Sequence, residues 1–222
     1  MSRLRLGVLA SGSGSNLQAL LDACASGAVP AQVAVVLSNV SSARALERAK
    51  AAGVPAVLLP HKGFAGSREE YDAALVAELQ RHEVKLVCLA GFMRIVTPAL
   101  LRAFENRILN IHPSILPSFP GLHAVRQALA AGVRVSGCTV HLVDEGTDTG
   151  PAIVQTAVPV LDGDTEESLA ARILLQEHRA YVRAVALFAQ GRVHVEGRRV
   201  RLDVEPGDAT RTIASPNLSD AQ

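Results

Sequence analysis

From Leu4 to Ile111, short apolar runs alternate with longer amphipathic stretches. That alternation is the pattern of right-handed β-α-β units wound around a parallel sheet, and it leaves few other architectures open. Leu4 to Ala10 reads as the first strand, followed by a glycine-rich turn and a helix from about Asn16 to Ala25. A strand at Val33 to Leu37, a helix from Ala43 to Ala52 stopped by Gly53, and a strand at Ala56 to Leu59 come next. A polar loop from His61 to Ser67 leads into a helix over Arg68 to Arg81. Lys85 to Leu89 then reads as a strand apolar enough to be buried on both faces.

The second half is less regular. Thr97-Pro98 carries the N-cap and first-turn proline of a helix running to about Phe104, and Arg107 to Ile111 reads as a strand. Pro113, Pro117 and Pro120 forbid regular structure until a helix near His123 to Ala131. Gly137 to Val143 and Ile153 to Val158 read as strands. Asp164 followed by Glu167 reads as the opening of a long helix ending near Gln190, and Val193 to Val195 with Arg199 to Leu202 as a hairpin. The expected fold is α/β: an open, mostly parallel, twisted, Rossmann-like sheet flanked by helices, with a C-terminal β-hairpin. Residues 1–203 are expected to form a single domain. The polar, aperiodic residues 204–222 are expected to be a disordered tail.

Composition narrows the class of ligand. With 22 Lys and Arg against 21 Asp and Glu, the chain has no overall positive field to attract nucleic acid or an acidic membrane surface, so a small-molecule substrate is expected. The first apolar run is interrupted by Arg5 and ended by glycines, unlike a signal peptide, and no apolar stretch has the length of a membrane span. A soluble, cytoplasmic protein is the expectation. Cys24, Cys88 and Cys138 are odd in number and lack Cys-x-x-Cys spacing, which suggests neither a disulfide framework nor a zinc site. Cys24 and Cys88 read as buried small hydrophobes.

Three segments carry groups capable of chemistry. In Ser11-Gly12-Ser13-Gly14-Ser15-Asn16, glycines permit a sharp turn, and free amides at a helix start beside hydroxyls suit a phosphate. No Gly-Lys-Ser/Thr follows, Leu17 occupies the third glycine position of a dinucleotide fingerprint, and no acidic residue stands at Ser38-Asn39. The plain alternative is a tight turn with a serine cap. In Asn110-Ile111-His112-Pro113, strand alternation points Asn110 and His112 to the same side at a strand's C-terminal end. An imidazole moves protons near neutrality and an amide can donate to a developing oxyanion; a polar pair satisfying loop backbone is the alternative. In Asp144-Glu145-Gly146-Thr147-Asp148-Thr149-Gly150-Pro151, the Gly-Pro pair fixes the chain's direction and would hold Asp148 in one place, where a nearby His112 would be oriented by it. A solvated turn or loose cation site is the alternative. His141, His123 and Glu177-His178 carry less weight, each as readily structural as functional.

Taken together, Ser11 to Asn16, Leu89-Ala-Gly-Phe-Met-Arg-Ile95, Leu109-Asn-Ile-His-Pro-Ser114, Leu116-Pro117, Pro120-Gly-Leu-His123, Gly137-Cys-Thr-Val-His141, Asp148-Thr-Gly-Pro151 and Gln176-Glu-His178 resemble the folate-dependent formyltransferase family. The resemblance implies transfer of a formyl group from 10-formyltetrahydrofolate, as co-substrate, to the amine of glycinamide ribonucleotide, without a metal. It implies that Asn110 stabilises the tetrahedral oxyanion, His112 transfers protons and Asp148 places His112. Gly14, Ser15 and Asn16 would hold the substrate phosphate, with Gln176 and Glu177 at the glycinamide part. The folate pocket would draw on Arg68, Met93, Arg94, Ile95 and Val96. Asn110 and the loop Asp144, Glu145, Gly146, Thr147 and Asp148 would complete it. Ala152 and Val96 depart from the larger residues common in the family, which touches pocket shape rather than reaction type. A formyltetrahydrofolate hydrolase would carry a regulatory domain before the first strand, here beginning at Leu4, and a tRNA formyltransferase a basic C-terminal domain. Sugar-amine formyltransferases and a non-catalytic phosphate sensor are the remaining rivals. No nucleic-acid or membrane partner is expected, and the chain would be a monomer or homodimer.

Overall fold

A computed structural model describes residues 3–203. The expected disordered tail at residues 204–222 lies outside the described residues. The elements run β1 (Leu4–Leu9), α1 (Ser15–Ala25), β2 (Ala31–Ser38), α2 (Arg44–Ala51), β3 (Ala56–Leu58), α3 (Arg68–Arg81), β4 (Leu86–Leu89), α4 (Pro98–Ala103) and β5 (Ile108–His112). There follow α5 (Ala124–Ala130), β6 (Val135–Leu142), β7 (Ala152–Pro159), α6 (Glu166–Ala189) and a separate hairpin of β8 (Val193–Glu196) and β9 (Arg199–Leu202).

The main sheet has the order β3-β2-β1-β4-β5-β6-β7. Pairings from β3 through β5 are parallel, whereas β5 with β6 and β6 with β7 are antiparallel. After β3 the chain returns to the other side of β1, so β1 and β4 diverge into loops on opposite sides of a topological switch point. In an open α/β sheet the crevice beyond the strands' C-terminal ends at that point is where ligands gather. A cavity of about 210 Å³ opens there, between the β1–α1 turn and Ala90, Gly91 and Met93 after β4.

Alternation along the strands divides the core between the two faces of the sheet. Leu6 and Val8 of β1 and Leu86 and Cys88 of β4 pack with Leu17 and Leu20 of α1 and with Ile173, Tyr181 and Ala184 of α6. On the other face Leu9, Val87 and Ile108 pack with Tyr71, Leu75 and Leu79 of α3 and Leu100 of α4. Strands covered by helices on both sides read as continuous apolar runs, which is why β4 was legible. All three cysteines are buried and free. The fully buried Tyr181 hydroxyl donates to the carbonyls of Leu89 and Leu109, at 3.0 and 3.1 Å, and ties α6 to the site-bearing ends of β4 and β5.

Two expected helix starts differ in their caps. The opening of α6 is Thr165 with Ser168, each side chain bonded to the other's backbone amide, rather than Asp164 with Glu167. Asp164 instead accepts from the Leu161 amide, the Ser168 hydroxyl and both terminal nitrogens of Arg172. The Arg172 hydrogen bonds, followed by the Leu161 amide, hold its carboxyl well below the usual range. At α4 the proline stands at the first turn as expected, but the Thr97 hydroxyl makes no cap bond. The nearby buried Asp72 takes the Thr97 amide at 2.6 Å, so tertiary packing holds the N-cap residue by its own amide while its hydroxyl caps nothing.

Candidate active site

The first turn of α1 forms one wall of the crevice. Its N-cap is Gly14 in the left-handed region, φ 70°, without a side-chain cap bond, so the serine cap considered from sequence is replaced by a glycine. A Cβ on Gly14 would lie 2.9 Å from the Ala45 backbone, so both conformation and space require glycine there. The helix offers no internal acceptor to its first amides, which include those of Ser15 and Asn16, and Ser15 and Asn16 line the cavity. Such a turn suits an anion. Arg48 of α2 braces it, donating to the Ser13 carbonyl at 2.8 Å and to Gln18 at 3.0 Å.

Asn16 and Glu177 were expected at different ends of one substrate; their side chains touch. Buried Asn16 donates from Nδ2 to Glu177 Oε2 at 2.8 Å, while Asn16 Oδ1 is buried without a partner among the described residues. Burial pushes the Glu177 carboxyl up, and the Asn16 hydrogen bond only partly offsets it. Gln176, the next residue on α6, is half-buried.

The end of β5 lies beside that of β4, with Leu89 paired to Asn110, and three expected residues converge there. Asp148 Oδ2 lies 3.2 Å from His112 Nδ1 and accepts the Gly121 amide at 2.8 Å, and Asp148 Oδ1 is 3.5 Å from Asn110 Nδ2. His112 is buried, and its Nε2 donates to the Phe119 carbonyl at 2.8 Å. Both ring nitrogens therefore face acceptors, one of them ionised. Asp148 itself has φ 55°, a conformation aspartate tolerates better than most residues. Gly150 lets the chain return tightly: a Cβ there would come within 1.9 Å of the Leu142 carbonyl. Burial alone would push the Asp148 carboxyl up. The His141 ring, the Gly121 amide and the charge of His112 outweigh that and hold it below its ordinary value.

His141 belongs to this cluster, although it carried little weight as one histidine in an alternating strand. Antiparallel register sets it opposite Asn110, with Nε2 3.2 Å from Asn110 Nδ2 and 3.6 Å from Asp148 Oδ1. Its Nδ1 donates to the Leu142 carbonyl at 2.8 Å, so Nε2 is the ring nitrogen turned toward Asn110 and Asp148. Only strand pairing reveals this, because β6 carries no local pattern that distinguishes His141 from a core histidine.

The residues expected around a folate divide into two groups. Met93 and Ile95 are 71% and 61% exposed, an unusual amount of apolar surface for side chains at a crevice mouth. Val96 packs against the α3 side of the core, the Arg94 guanidinium lies 4.4 Å from the centre of the Tyr71 ring, and Arg68 donates to the Ile95 carbonyl at 2.8 Å. In the other group Asp144 accepts from the Gly146 amide and the Thr149 hydroxyl, closing its loop, while Glu145, Gly146 and Thr147 are exposed. No group of three or more His, Cys, Asp or Glu among the described residues is arranged to hold a metal ion. No described helix is long and apolar enough to cross a membrane.

Residues 4–185 match the formyl transferase family. The chain belongs to that family. Among its relatives, the phosphoribosylglycinamide formyltransferase of Mycobacterium tuberculosis is 52% identical over 194 residues, 87% of this chain and 89% of the relative. The trifunctional purine biosynthetic protein adenosine-3 of Drosophila pseudoobscura pseudoobscura is 53% identical over 191 residues, 85% of this chain but only 14% of that protein's length. The crystal structure of glycinamide ribonucleotide transformylase 1 from Symbiobacterium toebii superposes with a TM-score of 0.89 at 58% identity, covering 90% of this chain and 94% of that one. The match to the formyl transferase family thus spans the crevice from β1 through the greater part of α6 and includes every side chain of the Asn110, His112, His141 and Asp148 cluster.

Proposed function

We propose that the chain transfers the formyl group of 10-formyltetrahydrofolate to the amine of glycinamide ribonucleotide, giving formylglycinamide ribonucleotide and tetrahydrofolate in de novo purine biosynthesis in the cytoplasm. The observation that carries this reading is the shared Asp148 carboxylate, within 3.2 Å of His112 and 3.5 Å of Asn110 at the end of β5, with a helix turn suited to an anion after β1, one strand away across β4. The sequence and structural likeness to named glycinamide ribonucleotide transformylases supports the choice of amine.

On this reading Ser15 and Asn16 present amides to the substrate phosphate, and the Asn16–Glu177 pair, with Gln176, faces the glycinamide. The exposed Met93 and Ile95 cover the apolar part of the folate, with Arg68 and Arg94 holding that segment's shape. Attack of the amine on the formyl carbon forms the new C–N bond and places a negative charge on the formyl oxygen. Asn110 Nδ2 and a hydrogen on His112 Nε2 stabilise that charge, Asp148 fixing the ring that donates. His112 Nε2 must exchange the Phe119 carbonyl for the formyl oxygen to do so. The amine loses a proton, the bond from the formyl carbon to the folate N10 breaks, and N10 takes up a proton, so no covalent enzyme intermediate is needed. Positioning the two reactants is then a large share of the acceleration.

Purified protein is expected to release tetrahydrofolate from 10-formyltetrahydrofolate only when glycinamide ribonucleotide is present. Equal release without the amine would replace this reading with a hydrolase, and no release in either case would replace it with a phosphate-binding sensor.

A further inference from the structure

We infer that Ser11 is a positioning residue that pins the folate-facing segment to the phosphate-facing turn, through a half-buried relay with Asn39. The inference rests on the proposed function for the names of the two ligands, and on the geometry for the connection itself.

Ser11 follows β1 and opens the turn that a phosphate would occupy, yet its hydroxyl is committed elsewhere. It donates to Asn39 Oδ1 at 2.6 Å and accepts the Met93 amide at 2.9 Å. A hydroxyl has one hydrogen to give, so Ser11 cannot also donate to a phosphate. Its own amide bonds the Gly91 carbonyl at 3.0 Å, so two bonds join the β1 turn to the segment after β4. Asn39 is buried at the end of β2, where a dinucleotide enzyme would carry an acidic residue. His61, from the loop after β3, closes its far side, with Nδ1 3.1 Å from both the Asn39 amide nitrogen and the Asn39 carbonyl. The relay therefore gathers the ends of β1, β2 and β4 and the loop after β3 around one serine hydroxyl.

What this hydroxyl holds is the start of Met93 to Val96. Met93 and Ile95 project 71% and 61% exposed, so at these two positions the chain is held by the Ser11 bond and the Arg68 bond, while Arg94 against the Tyr71 ring and Val96 against the α3 side of the core hold the positions between and after them. Removing the hydroxyl strips the Met93 amide of its acceptor and Asn39 of its donor at once. The phosphate-facing amides of Ser15 and Asn16 are held separately, by α1 and the Gly14 turn. The loss should therefore fall on the folate side rather than on the ribonucleotide side.

The experiment measures equilibrium binding of tetrahydrofolate and of glycinamide ribonucleotide to the full chain and to Ser11→Ala and Ser11→Thr. Ser11→Ala is expected to weaken tetrahydrofolate roughly tenfold, the scale of one hydrogen bond lost, with a much smaller change for the ribonucleotide and recovery in Ser11→Thr. Equal weakening of both ligands, or none, would overturn the inference. Failure of the unaltered chain to bind either ligand would instead overturn the proposed function. Independently of any variant, the Met93 amide of the unaltered protein is expected to exchange its hydrogen slowly; exchange at the rate of an open loop would contradict the Ser11 bond.

Discussion

Asp148 serves four neighbours with one carboxylate, and the cost of losing it differs from that of losing any of them. Near neutrality it is ionised, because His141, the Gly121 amide and His112 outweigh the burial that would protonate it. Asp148→Asn keeps the shape and removes the charge that places His112, while His112→Ala removes the donor itself. Each is expected to lower kcat by on the order of 10²-fold or more while glycinamide ribonucleotide still binds, read by steady-state kinetics beside a binding titration. Turnover unchanged in both would take these residues out of the machinery. Strand alternation was enough to put Asn110 and His112 on the same side. It could not bring Asp148 to them, since that contact joins the end of β5 to a loop far along the chain. His141 was illegible for a further reason: its role follows from standing opposite Asn110 in the β5–β6 register, and register between strands is a tertiary property.

At the scale of elements, α6 does more than cover the sheet. Glu177 and Tyr181 stand four residues apart and so share a helix face, one reaching Asn16 in the crevice and the other the carbonyls of Leu89 and Leu109. Tyr181 is thus an anchor for the helix that carries Glu177. Tyr181→Phe, which keeps the ring and removes the hydroxyl, is expected to destabilise the protein by about 1–2 kcal/mol, seen as a lower urea midpoint. An unchanged midpoint would mean that the two carbonyls lose nothing with that donor. Helices and parallel strands were readable from hydrophobic period because each buries a face. The opening of α6 was misread by one residue, since Asp164, Thr165, Glu167 and Ser168 all have side chains suited to a cap, and the bond to Arg172 decides which is free to serve. The antiparallel direction of β6 and β7 leaves no trace in period two, because alternation is the same whichever way a strand runs.

For the molecule as a whole, the crevice follows from topology before chemistry. The order β3-β2-β1-β4-β5 opens a switch point between β1 and β4, with the cavity-lining β1–α1 turn on one side and the Asn110, His112 and Asp148 cluster at the end of β5 on the other. Two substrates bound along such a crevice would have one reacting atom each near Asn110 and His112. The measurement that tests this most directly follows the formyl carbon itself. With ¹³C-labelled formyl on the folate and glycinamide ribonucleotide as acceptor, the account predicts that the label appears on the ribonucleotide's amine nitrogen, one for each tetrahydrofolate released. Label recovered as free formate, with the ribonucleotide unaltered, would contradict it.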